Sequence, residues 1–124
     1  SIGIKSNVTI YHKISHSDVQ KLLLRSSIMI LVSEDEAMPM SLIEGCSLGL
    51  ALISTDVGAT KEIVMENYNG YLIDKSIEAI VEKVIHYKYQ PELLQIHSIN
   101  SIRLAEEKFN KREYFKKLDK ILNE

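Results

Sequence analysis

The chain contains no tryptophan, one cysteine, two prolines and five glycines among its 124 residues, and its aromatics are six tyrosines and two phenylalanines. A lone Cys46 cannot form an internal disulfide, which excludes a disulfide scaffold and, with no signal-like start, makes reducing cytoplasm the expected compartment. No internal repeat, low-complexity tract or interdomain linker is evident. Fifteen Lys and Arg against seventeen Asp and Glu leave a net charge of −2. No global basic field therefore points to nucleic acid or to an anionic membrane. No apolar run approaches the roughly 18 to 20 residues that would span a bilayer, so a soluble protein is expected, at most peripheral at the inner membrane face. The histidines at 12, 16, 86 and 97 lack zinc-like spacing, and Glu34, Asp35 and Glu36 lack the spacing of a carboxylate cage. No bound metal is expected.

The length suits one domain or a piece of one. Residues 8–11 are β-branched and aromatic, which predicts a strand. Ser15-His16-Ser17-Asp18 has capping-box form with Ile14 and Val19 as a hydrophobic staple, predicting a helix over 17–25. Residues 28–32, Ile-Met-Ile-Leu-Val, are apolar without alternation, the pattern of a strand covered on both faces, expected to lie centrally. A loop over 33–39, a helix over 41–48 ended by Gly49, a strand over 51–54 and a short helix over 61–65 follow. Asn69-Gly70 closes a turn before a last strand over 71–73. This alternation implies a parallel sheet. From Ser76 the chain turns helical: Ile77, Ile80, Val81, Val84 and Ile85 form an i, i+3, i+4 stripe, Pro91 opens the next helix, and Asn110 and Glu113 cap a final one. Residues 1–75 thus form a sheet-bearing unit, and 76–124 a set of helices packing on it.

Glu36 and Glu44 stand with seven residues between them, where the second strand passes through a loop into a helix. Such a loop offers free N–H groups and a positive dipole end to a diphosphate, while the two carboxylates accept from sugar hydroxyls. Plainer readings stand beside this one. Ser41-Leu42-Ile43-Glu44 is also a capping box, Glu34-Asp35-Glu36 is also a solvated acidic loop, and Cys46 and the four methionines are packing residues. The lysines and arginine near the C-terminus form a solvated basic face by default.

Residues 28–74 resemble the donor-binding domain of the family-4 (group 1) retaining glycosyltransferases of GT-B fold. The resemblance is carried by Ser33, Glu36, Pro39, Glu44, Gly49, Ile53, Thr55-Asp56-Val57-Gly58, Glu62-Ile63-Val64 and Asn69-Gly70-Tyr71-Leu72, in that order. It implies a Rossmann-like parallel sheet with flanking helices, part of a GT-B C-terminal domain, and a helical C-terminal tail. It further implies that Glu36 orients the donor sugar, that Glu44 accepts from the ribose hydroxyls, and that the backbone around Ala37, Met38, Pro39, Met40 and Ser41 faces sugar and diphosphate. Pro39 itself has no N–H to give. His12, Lys13 and Ile14 match a segment lying along the nucleotide base.

Ala37 stands where the family has glycine, Met38 where it has an aromatic, Gly45 where it has alanine, at roughly 1 kcal/mol in helix propensity, and Ala59 where it has a second glycine. The family's phosphate-neutralising Arg and Lys, and its first two strands, have no counterpart in these residues. In a strand order of 3-2-1-4-5-6, only one wall of the crevice is then present. The resemblance implies a UDP- or GDP-sugar donor, no cofactor and no metal, a saccharide, lipid-linked or other hydroxyl acceptor, and an N-terminal domain or partner chain to complete the site. The alternative is a truncated, non-catalytic α/β binding module that self-associates through an open sheet edge. An epimerase of the same architecture is a third reading, which the paired-glutamate loop fits less well.

Overall fold

A computed structural model describes residues 5–35, 39–109, 119, 120 and 122. Its elements run α1 (His16–Leu24), β1 (Ile28–Leu31), α2 (Met40–Ser47), β2 (Ala51–Thr55), β3 (Gly70–Ile73), α3 (Ile77–Tyr89) and α4 (Pro91–Lys108), with 3-10 turns at Lys5–Asn7 and Thr60–Glu62. The three strands form one parallel sheet in the order β1-β2-β3.

Central position falls to β2, with all five residues buried, while β1 lies at the edge and leaves Ile30 41% exposed. The apolar run over 28–32 was expected in the middle. It lies at the rim because no strand among the described residues pairs with its free side. Residues 8–11, expected as a strand, are exposed and outside any sheet for the same reason: an extended segment without a hydrogen-bonding neighbour has nothing to satisfy its backbone but water.

Alternation along β2 feeds two cores. Leu52, with Leu50 just before the strand, packs against Leu42, Ile43 and Cys46 of α2 and Leu104 of α4. Ala51 and Ile53 face the other way, toward Tyr71, Ile73 and Tyr87. The helix α4 begins against one core through Leu93 and Leu94 and ends in the other at Leu104 and Ala105. Within the second core the Tyr87 hydroxyl lies 2.6 Å from His97 Nδ1, so these two buried polar groups satisfy each other, and burial holds the His97 imidazole below its ordinary pKa. Among the described residues no helix is long and apolar enough to cross a membrane.

Local chemistry sets the element ends. The Ser15 hydroxyl accepts from the Asp18 N–H at 3.1 Å, and the Ser76 hydroxyl from the Ala79 N–H at 3.1 Å, as capping residues should. Gly49, at φ +80°, ends α2 in a Schellman turn, its N–H donating to Cys46 O and the Leu50 N–H to Gly45 O. The helix expected over 61–65 is only a 3-10 turn. There the Thr60 hydroxyl bonds Thr55 O, and the buried Asn69 side chain accepts from Met65 N–H and donates to Ile63 O. The Asn69 amide thus occupies the Met65 N–H and the Ile63 carbonyl that a continuing α-helix would use. The basic segment and final capping pair from Asn110 onward fall mostly outside the described residues, of which 119, 120 and 122 are helical.

Gly45 and Gly70 are packing solutions. A Cβ at Gly45 would come within 2.7 Å of Met29 Sδ, so the missing methyl lets α2 settle onto β1. A Cβ at Gly70 would lie 1.7 Å from the Leu52 carbonyl oxygen, in the backbone of the fully buried strand. Gly70→Ala must push β3 away from β2, and it is expected to cost about 3 kcal/mol or more in urea unfolding. A loss below about 1 kcal/mol would contradict this account of the β2–β3 contact.

Candidate functional site at the carboxyl end of the sheet

Parallel register brings the carboxyl ends of all three strands to one rim. There the Thr55 hydroxyl donates to Ser33 O at 2.8 Å and accepts from Ser33 N–H at 3.1 Å. This pair of hydrogen bonds ties the first residues of the 33–39 loop to the central strand. Beside it an open cavity of about 700 Å³ is lined by Ser33, Glu34, Thr55, Asp56, Glu66 and Lys75, among others, with Glu34 and Lys75 paired across it.

Beyond the loop, α2 starts at Met40, one residue earlier than expected, with Pro39 in the N-cap position and no side-chain cap. The expected capping box at Ser41 and Glu44 does not form. Ser41 already lies inside the helix and Glu44 sits a full turn in, too far along to reach the helix start. Among the described residues no side chain caps the start of α2. Of the residues expected to contact the donor, Pro39 is buried, Met40 exposed and Ser41 half-buried. Glu36, Ala37 and Met38 lie outside the described residues.

Glu44 is 6% exposed and turns toward α1, where its Oε1 lies 3.0 Å from His16 Nε2. The Gln20 side chain lies beside the carboxylate. Burial raises the Glu44 carboxyl above its ordinary value, opposed by the His16 charge and by hydrogen bonds from Gln20 and His16. The segment expected to flank a base leads into the same helix: His12 and Lys13 are exposed, with Lys13 at φ +51°, and Ile14 is half-buried. Ile14 lines a separate cavity of about 230 Å³ with Tyr11, Asp18, Lys21, Leu22 and Arg25.

His16 and Gln20 were missed as companions of Glu44. Their i, i+4 spacing on α1 was legible, but nothing in sequence says that this face meets α2. Cys46, by contrast, is the core residue expected: it is fully buried, bonds Ser101 O through its thiol, and desolvation pushes its pKa up to about 11, which suits no nucleophile. The tail helix fastens α2 in place, with the Ser98 hydroxyl donating to Gly49 O and the Ser101 hydroxyl to Leu50 O at 2.7 Å.

Residues 1–104 match the family of group 1 glycosyl transferases. The chain belongs to that family. It is 30% identical over 79 residues to a subunit of the human phosphatidylinositol N-acetylglucosaminyltransferase, a stretch covering 64% of this chain and 16% of that protein. Its fold matches sucrose-phosphate synthase from Thermosynechococcus elongatus with a TM-score of 0.79 at 16% identity, over 94% of this chain and 30% of that one. It also matches the C-terminal domain of the group 1 glycosyl transferase LpcC from Francisella tularensis, with a TM-score of 0.73 at 24% identity, over 81% of this chain and 52% of that one. These structural likenesses are of fold, and they assign the sheet and helices to the GT-B architecture. The chain spans about a sixth of the human relative's length.

An unfolded glutamate titrates near 4.5, whereas folded Glu44 titrates higher. Between the two values the folded state keeps a proton that the unfolded state has lost, so this group's contribution to stability falls as pH rises through that window. Glu44→Gln cannot titrate. The difference in unfolding free energy between parent and variant, measured in urea from pH 4 upward, is expected to fall with rising pH and then level off. A difference independent of pH would show that burial does not hold the Glu44 proton.

Proposed function

We propose that the chain forms the donor-binding wall of a retaining glycosyltransferase that moves a sugar from a UDP- or GDP-type donor to a saccharide, lipid-linked or other hydroxyl acceptor. The observation that carries this reading is the α2 N-terminus, which has no side-chain cap and has Glu44 buried one turn in. A diphosphate placed there meets oriented N–H groups and the positive end of a helix dipole. Glu44 then lies on the nucleoside side and accepts from ribose hydroxyls, while Glu36, from the preceding loop, orients the sugar. Backbone N–H groups of Met38, Met40 and Ser41 complete this wall, and His12, Lys13 and Ile14 flank the base.

The chemistry asked of such a wall is electrostatic. Cleavage of the anomeric C–O bond leaves oxocarbenium-like charge on the sugar and growing negative charge on the diphosphate, which fixed dipoles and cations stabilise without a metal. Glu36 and Glu44 are orienting groups in this scheme, not an acid and base pair. The cations, and the acceptor site, come from an N-terminal domain or a partner chain. A lipid-linked acceptor is consistent with the name of the human relative, and with action at the cytoplasmic face of a membrane.

A second reading, a non-catalytic module that associates through its sheet, draws on the edge of β1 that no described strand pairs, where Ile30, and Val32 just past the strand, are 41% and 39% exposed. Calorimetry separates the two. In the whole natural protein, Glu44→Ala is expected to weaken UDP- or GDP-sugar binding at least about tenfold, some 1.4 kcal/mol, with the thermal transition still cooperative. Unchanged affinity would count against the donor reading, and donor-independent dimers in sedimentation would favour the module.

A further inference from the structure

The contacts around Glu44 contain a hydrogen-bonding conflict. His16 Nε2 is 3.0 Å from Glu44 Oε1 and 2.9 Å from Gln20 Nε2. An ionised carboxylate can only accept, so it asks Nε2 to carry a hydrogen. An amide nitrogen can only donate, so it asks Nε2 for a lone pair. One ring nitrogen cannot meet both demands. Turning the Gln20 amide by half a turn lets His16 Nε2–H serve Glu44 and the amide oxygen together, but it then moves the NH₂ to the place where the oxygen stood. Gln20 is 2% exposed, and its Oε1 has no partner among the described residues. In either orientation, one polar end of this buried amide, beside the Glu44 carboxylate, lacks a partner. Leaving a buried polar group unsatisfied is costly, and such a group at a candidate site points to a hydrogen-bonding group that arrives with a ligand.

We propose that His16 is the positioning residue for Glu44 and Gln20 a further ligand-binding group, the pair tuning the Glu44 carboxylate to a vicinal diol. His16 occupies one carboxylate oxygen and fixes the plane of the group, which leaves the other oxygen to accept from one hydroxyl of a ribose. The second hydroxyl, able both to donate and to accept, supplies the partner that the Gln20 amide lacks. His16 is well placed for this, because its side chain is 44% exposed while that of Glu44 is 8% exposed, so the imidazole bridges solvent and the buried carboxylate. Its place in the first turn of α1, just after the Ser15 cap, fixes its backbone. The inference rests on the donor reading above and adds the residues that read the sugar of the nucleotide.

The test is discrimination between ribo- and deoxyribonucleotides in the whole natural protein. UDP, GDP and their 2′-deoxy and 3′-deoxy forms are titrated calorimetrically into the parent protein and into His16→Phe, His16→Gln and Gln20→Leu, with thermal melts to confirm folding. The parent is expected to prefer the ribo form by about tenfold or more. His16→Phe and Gln20→Leu should bring that ratio below about threefold, and His16→Gln, which keeps an N–H donor, should recover most of it. A merely structural role would weaken both forms equally and leave the ratio unchanged. A folded His16→Phe that binds with the parent's ratio overturns this inference while leaving the donor reading intact. Failure of the parent to bind either nucleotide overturns both.

Discussion

Burial of β2 on both faces is the constraint on which the rest of this structure depends. A strand with no face toward water needs an apolar layer on each side, and the alternation of Leu52 with Ala51 and Ile53 sends it to two separate cores. Helices must then cover both faces, and α4 does so by starting in one core and ending in the other. The same burial leaves no tolerance for backbone displacement, as the proximity of Gly70 to the Leu52 carbonyl shows. Parallel pairing on both sides of β2 aligns the strand ends, so the loops that leave them converge on one rim.

Polar contacts hold both ends of the sheet. At the carboxyl rim Thr55 takes both backbone groups of Ser33, while at the amino end Asn69 ties the turn before β3 to the segment after Thr60, and Ser98 and Ser101 anchor the end of α2 to α4. The helix carrying Glu44 is therefore pinned at its C-terminal end and left without a side-chain cap at its N-terminal end. Helices α1 and α3, by contrast, begin on serine caps that use their own first-turn N–H groups. Under the donor reading proposed above, the N-terminal end of α2 receives the diphosphate. The burial of Glu44, opposed by His16 and Gln20, keeps a carboxylate there in a defined position at an electrostatic cost.

Much of this was legible from local rules. Ser15, Ser76, Gly49 and Pro91 mark helix ends because each solves a backbone problem confined to one turn, and each acts in the structure as its type requires. The spacing of Glu36 and Glu44, together with the motifs that follow, was enough to identify the glycosyltransferase family. The errors have a common origin. The run over 28–32 looked central and the segment over 8–11 looked like a strand because composition reports what a segment can bury, whereas its place in a sheet depends on neighbours. Ser41 and Glu44 looked like a cap because the pattern fits, yet a helix that starts one residue earlier puts both past the capping position.

The sequence by itself determined the three strands that pair and the long helices around them, the parallel character of the sheet, the family, and Cys46 as a core residue, since these follow from periodicity, turn chemistry and motif spacing along the chain. Only the tertiary structure decided that β2 is the central strand, that Gly45 and Gly70 answer to close packing, and that Glu44 meets His16 and Gln20. Those outcomes depend on which faces come together across long stretches of chain, and no local pattern encodes a contact whose two halves lie on different helices.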